Sequence, residues 1–215
     1  MFGFPASTEF GKRIPKQKFY ENIDITPDQK RLFIKQIHSI CWQCKLAATT
    51  LNLAAGSTVT EVEVFVLELN APELDETLLR LIDKAIPYHI LYILTYDSRA
   101  QAWIGYKDTS GGSAAIRYYH TEWVSEDALA FSIDGLNLDA VYESLVRQIA
   151  GDKLQTDSGE SLKESVVRDE KKKQLEKQIA ALENKMKKEK QLNRQMEMNA
   201  ELKKLRTMMG KVEDD

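Results

Sequence analysis

The sequence is short of cysteine, proline, glycine and long apolar runs, and each shortage excludes something. Its only two cysteines, Cys41 and Cys44, give no disulfide framework. No apolar run approaches the roughly 18 residues that a membrane span needs, and no basic N-terminal stretch leads into an apolar run with a small-residue cleavage site. A cytoplasmic protein is therefore expected. Catalytic signatures are scarce as well. No serine elbow and no Walker loop occurs, and DTSGGS sits between strand-like segments, where it reads as a hairpin turn. No second CxxC or HxxxH completes a tetrahedral zinc set with Cys41, Cys44 and the nearby His38. Neither a metal nor a cofactor is expected.

Charge is present in both signs but unevenly placed. The net charge is -3. Residues 1–45 carry 8 basic and 4 acidic groups, residues 46–151 carry 6 and 15, and residues 152–215 carry 16 and 14. An acidic middle repels a phosphate backbone, so nucleic-acid contact is expected only at the ends. At 43% hydrophobic, the 215 residues suffice for one core with length left over.

Residues 1–25 mix aromatics with Lys12, Arg13, Lys16 and Lys18 around two prolines and read as a basic extended arm. Thr26-Pro27-Asp28-Gln29 is a reciprocal capping pattern, and a helix is expected to run from it through Phe33, Ile37, Ile40, Cys41 and Cys44, one apolar stripe. That reading puts both sulfurs at the end of a helix and facing inward, as structural thiols rather than a redox pair. Strands are expected in LAATTLNLAAG and TEVEVFVLELN, a helix before Pro87, then strands in YHILYILTY, QAWIGYK and AIRYYHTEW. Asn137 caps a last helix that ends at Gly151. Residues 26–151 are thus an α+β domain with a mixed or antiparallel five-stranded sheet and packed helices.

Residues 152–165 read as a polar linker and 166–210 as a long coiled-coil-type helix, followed by an acidic end at 211–215. Leu175, Ile179, Leu182 and Met186 form one heptad-like seam, and Met198, Leu202, Leu205 and Met209 form another. Asn193 and Met196 keep the first phase between them, so the seam is interrupted or passed to another surface. No glycine or proline falls between Ser161 and Met209, which permits a helix of roughly 70 Å at 1.5 Å per residue. A stripe of two apolar residues in seven is marginal alone in water and calls for a partner. The partner-binding set is Leu175, Ile179, Leu182, Met186, Met196, Leu202, Leu205 and Met209.

Two further chemistries compete. From Lys171 to Arg206 there are 12 Lys and Arg against 5 Asp and Glu. With the arm's Lys12, Arg13, Lys16 and Lys18, the residues Lys171, Lys172, Lys173, Lys185, Lys187 and Lys188 are candidates for DNA contact, although a solvated lysine-rich helix face reads the same way. Glu61 and Glu63 share a strand face and Lys107 ends another strand, the materials of a metal-dependent nuclease. The PD-(D/E)xK pattern, however, needs an acid two residues before its lysine, where Gly105 stands. His89 and His120 lie beside tyrosines within strands and read as hydrogen-bonded structural groups.

The stretches FPASTEFGKRIPKQKFYEN, AATTLNLAAG, IDKAIPYHILYIL, QAWIGYK, YYHTEW and KMKKEKQLNRQMEMNAELKKL resemble the bacterial family known as domain of unknown function 4391, over nearly the whole chain. The resemblance implies an accessory role beside the helicases and DNA methyltransferases of restriction-like, phage-defence systems. It transfers no catalytic residue. The expectation is a non-catalytic adaptor that uses its C-terminal helix to bind such a partner or a second copy of itself; the alternatives are a DNA-binding subunit and a divergent metal-dependent nuclease.

Overall fold

A computed structural model describes residues 2–107, 116–154 and 159–214. The expected turn at DTSGGS and part of the linker lie outside these residues. The chain divides into two compact units, residues 1–151 and 152–215.

The first unit is α+β. Its strands are β1 (Glu9–Arg13), β2 (Ile37–Ala47), β3 (Glu61–Leu69), β4 (His89–Tyr96), β5 (Arg99–Lys107), β6 (Ile116–His120) and β7 (Val124–Ser125), with helices α1 (Lys16–Asn22), α2 (Pro27–Gln36), α3 (Ala48–Leu51), α4 (Glu76–Ala85) and α5 (Leu138–Ala150). The sheet is mixed, with strand order β1-β2-β3-β4-β5-β6, and β7 also pairs with β5. Every pairing is antiparallel except β3 with β4. That parallel pair needs a crossover, and α4 supplies it. Among the described residues seven strands stand where five were expected.

One sheet face, through Phe65, Leu67, Tyr92 and Leu94, buries Phe19, Phe33, Leu78, Leu79 and Ile82 of α1, α2 and α4. α5 packs on β5 and β6 and buries Val141, Leu145 and Val146. Tyr142 of α5 donates from its hydroxyl to the Gly105 carbonyl at 2.7 Å. The continuously apolar β4 is the buried centre that its composition implies.

The expected long helix from Thr26 is corrected. The capping box forms as read, with Thr26 and Gln29 bonded reciprocally, but α2 stops at Gln36 and the cysteines lie on β2. The misleading feature is spacing. The register of β2 on β3 shifts between Ile37 and Ser39 and again between Trp42 and Cys44. Each irregularity lengthens a two-residue strand repeat to three, and Ile37 to Ile40 and Cys41 to Cys44 then imitate a helical stripe. Cys41 pairs with Val66 and Cys44 with Val64, residues two apart on one strand, so the bulge restores the shared side. Burial raises the pKa of both thiols. His38 stays exposed, 3.8 Å from the Glu68 carboxylate.

Two other expectations change. The segment LAATTLNLAAG is not a strand of its own: Leu46 and Ala47 end β2, and α3 follows, held by Thr50, whose hydroxyl accepts from the Ala47 N–H, and closed by Asn52 at φ 53°. The arm belongs to the first unit: β1 lies against β2, Phe10 meets Trp42 at 4.1 Å between ring centroids, and Phe4 stacks on Phe131 at 5.9 Å.

In the second unit, α6 (Leu162–Lys188) and α7 (Leu192–Asp214) replace the single long helix. Ser161 and Glu164 form a capping box at the start of α6, inside the expected linker. The break falls near the slip in the heptads. With no glycine or proline to impose it, Glu189 turns extended, and its carboxylate accepts from the N–H groups of Lys190 and Gln191 at 2.8 and 2.9 Å. α6 and α7 pack on each other across a three-residue connection, which makes an antiparallel hairpin. Arg206 pairs with Glu183 across it at 2.8 Å.

Candidate functional site

The densest polar chemistry lies at one end of the sheet, where β3 and β4 begin and β2 and β5 finish. The antiparallel register sets Lys45 opposite Glu63 and Ala47 opposite Glu61. Glu61 and Glu63, two residues apart on β3, therefore share a face with the lysine of the neighbouring strand. Lys45 Nζ lies 2.8 Å from Glu61 Oε2, and both side chains keep access to solvent, at 31% and 22% of their full exposure. Glu63 sits behind them at 1% exposure. Neither of its carboxylate oxygens has a hydrogen-bond partner among the described residues. Burial raises the Glu63 pKa to about 7, with the adjacent Glu61 adding to the rise and Lys45 opposing it.

A second acid at the same end is differently placed. Asp83 projects from α4 among apolar residues, with its side chain 1% exposed. Lys107 Nζ approaches it at 3.0 Å and also donates to the Tyr88 carbonyl at 2.8 Å. The Tyr118 hydroxyl donates a short hydrogen bond to Asp83 Oδ2. Burial and this carboxylate drive the Tyr118 pKa far above the phenol range, so it remains a donor. The constellation pins α4 to β5 and β6. Lys107, expected beside Glu61 and Glu63 as a nuclease candidate, is committed to it.

On the other side of the sheet His89 lies tilted against Tyr142, with ring centroids 4.4 Å apart. Burial, and then Lys107, lowers its pKa to about 4, so the ring is neutral at neutral pH. His120 lies 4.4 Å from Trp103, ring to ring. Asp139, at the start of α5, fixes the loop that leads into Glu61: it accepts from the N–H groups of Ser57, Thr58 and Val59 at 2.6, 3.1 and 2.7 Å, and from both hydroxyls at 2.8 Å. Burial would raise its pKa, but these donors overcome that and hold it well below the usual carboxylate range. Nothing in its sequence context singled Asp139 out.

The residues expected to touch nucleic acid are dispersed. Lys12 Nζ lies over the Phe10 ring at 4.4 Å, and Lys16 donates to the Ile37 carbonyl at 2.8 Å. Arg13 and Lys18 are exposed. On α6, Lys173 pairs with Asp169 at 2.7 Å, Lys172 is half-buried, and Lys171, Lys185, Lys187 and Lys188 are exposed. The seam residues divide in a regular way: Leu175 and Leu202 are buried, Ile179, Leu182, Met186, Leu205 and Met209 are half-buried, and Met196 is 65% exposed.

Lys45 carries no signal along the chain: the nuclease pattern pairs an acid with a lysine two residues along the same strand, whereas the structure brings one from the adjacent strand, a neighbour that only register reveals. Among the described residues no cluster of three or more His, Cys, Asp or Glu gathers as a metal site, and no helix is long and apolar enough to cross a membrane.

These features define a mixed-sheet α+β protein with a helical-hairpin appendage. The family model described as domain of unknown function (DUF4391) matches residues 2–209, and the chain belongs to that family. No curated protein and no solved structure matches it.

Proposed function

We propose that the protein is an accessory subunit that holds a protein partner through the α6–α7 hairpin. The observation that carries this reading is the state of the seam. Two helices cover only one flank of each other, and five of its eight expected partner-binding residues, Ile179, Leu182, Met186, Leu205 and Met209, remain half-buried. Leu192, Met196 and Met208 stand 69, 65 and 51% exposed beside them. A hairpin in this state is a helical bundle short of a helix, and methionine suits a surface that must accept another side. The surplus of 12 basic over 5 acidic groups between Lys171 and Arg206 favours an acidic, amphipathic partner helix over a second, equally basic copy. The family resemblance supports a helicase or DNA methyltransferase of a restriction-like system as that partner.

The test is co-purification of full-length protein with a helicase and a DNA methyltransferase of a restriction-like system, against Met196→Asp with Met208→Asp. Recovery of a partner that the double variant loses supports the reading. Equal recovery from both proteins overturns it, as does a dimeric mass that the double variant abolishes, or retention of DNA instead of protein.

A further inference from the structure

We propose that Lys45, Glu61 and Glu63 form a divalent-cation site that takes a phosphate group as a further ligand. The proposal begins from an imbalance. A buried carboxylate oxygen without a partner is costly unless its charge is met, and native proteins rarely tolerate one without a reason. Glu63 has two such oxygens at 1% exposure. Asp83, at the same end of the sheet, has a lysine 3.0 Å from Oδ1 and a phenol donating to Oδ2, although Oδ1 accepts no hydrogen bond among the described residues. Glu63 has no lysine or phenol bonded to it: the Glu61 carboxyl and the Trp42 side chain lie beside it, and the lysine opposite it is engaged with Glu61.

Geometry and charge both suit a cation. Glu61 and Glu63 stand two residues apart on one strand face with their carboxyl groups in contact, and magnesium-like ions are held by one or two carboxylates, with water and phosphate oxygens completing the shell. An approach exists, because Glu61 and Lys45 reach solvent while Glu63 stands behind them. Two ionised carboxylates and one ammonium leave a single negative charge. A divalent ion turns this into a single positive charge, which a phosphodiester monoanion neutralises, with Lys45 as its second contact. Groups that face Glu63 from neighbouring elements are Glu61 on its own strand and Lys45 and Trp42 on β2. The raised pKa of Glu63 fits the cation-free state and makes binding release a proton.

Manganese titration of the full-length protein, followed by electron paramagnetic resonance and calorimetry, tests the site. One saturable site is expected at pH 8, weakened roughly tenfold at pH 6, where Glu63 holds its proton. Glu61→Gln and Glu63→Gln should each weaken it about tenfold or more. Glu63→Gln also removes a buried charge, so it should melt no lower than wild type, which separates lost binding from lost folding. Lys45→Met should keep manganese but lose the shortened relaxation of the phosphorus signal from added inorganic phosphate. Absence of saturable manganese binding at pH 8, or binding unchanged in both glutamine variants, overturns the cation site. Phosphate relaxation unchanged by Lys45→Met overturns the phosphate ligand. A failure of the hairpin test above leaves these readouts unaffected, since they concern the other unit.

Discussion

Asp83 and Glu63 lie at the same end of one sheet, both buried and each with a lysine close by, yet they end in different states. Asp83 projects from a helix and meets partners from two further strands, Lys107 on β5 and Tyr118 on β6. Glu63 projects from β3 and faces a lysine that is already held by Glu61. The difference shows that a nearby opposite charge does not by itself satisfy a buried acid; hydrogen-bond geometry and the competition for the lysine decide.

The largest effect should come from breaking the ion-paired member. Lys107→Met leaves Asp83 buried with only the Tyr118 hydroxyl, and the loss should be about 3–5 kcal/mol by chemical denaturation. A loss below about 1 kcal/mol would mean that the pair contributes no more than an exposed one. Next comes the unsatisfied member. Its native pKa of about 7 lies above the 4.5 of the unfolded chain, so the native state binds more protons between those values. Stability from this group is full at low pH and falls as pH rises from about 4.5 to about 7, by on the order of 3 kcal/mol. Glu63→Gln should abolish that fall.

A smaller, opposite slope sharpens the contrast. His89 has its pKa lowered from 6.5 to about 4, so the unfolded chain binds more protons there, and stability is lost as pH falls through that window. The two slopes oppose each other between about pH 4.5 and 6.5 in the wild type. Melting curves of Glu63→Gln across that range should therefore reveal rising stability with pH, and adding His89→Gln should flatten it. The smallest effect sets the scale. Arg206→Ala removes the exposed pair with Glu183 in the hairpin and should cost about 0.2–1 kcal/mol, measured by thermal unfolding and diminished by salt.

Local signals in the chain were legible wherever one physical cause acted alone. The capping box at Thr26, the N-cap at Asn137, the apolar strand β4 and the stop of α4 before Pro87 each depend on contacts within a few residues. β2 was misread because two bulges gave a strand the spacing of a helix. The arm was underestimated because a short edge strand needs a neighbour to exist at all. At the candidate site Glu61 and Glu63 were visible as a pair on one strand face, but Lys107 was the wrong lysine. Its partner proved to be Asp83, 24 positions earlier on the helix before Pro87.

By itself the sequence determined which segments carry charge, where the capped helices begin, and that the tail owns two apolar seams, since these follow from composition and from bonds between near neighbours. Tertiary structure alone decided that Lys45 faces Glu63, that Asp83 meets Lys107 and Tyr118, and that the tail turns back at Glu189. The physical reason is that strand register and helix docking are set by burying area across distant segments, so they assign partners that no spacing along the chain encodes.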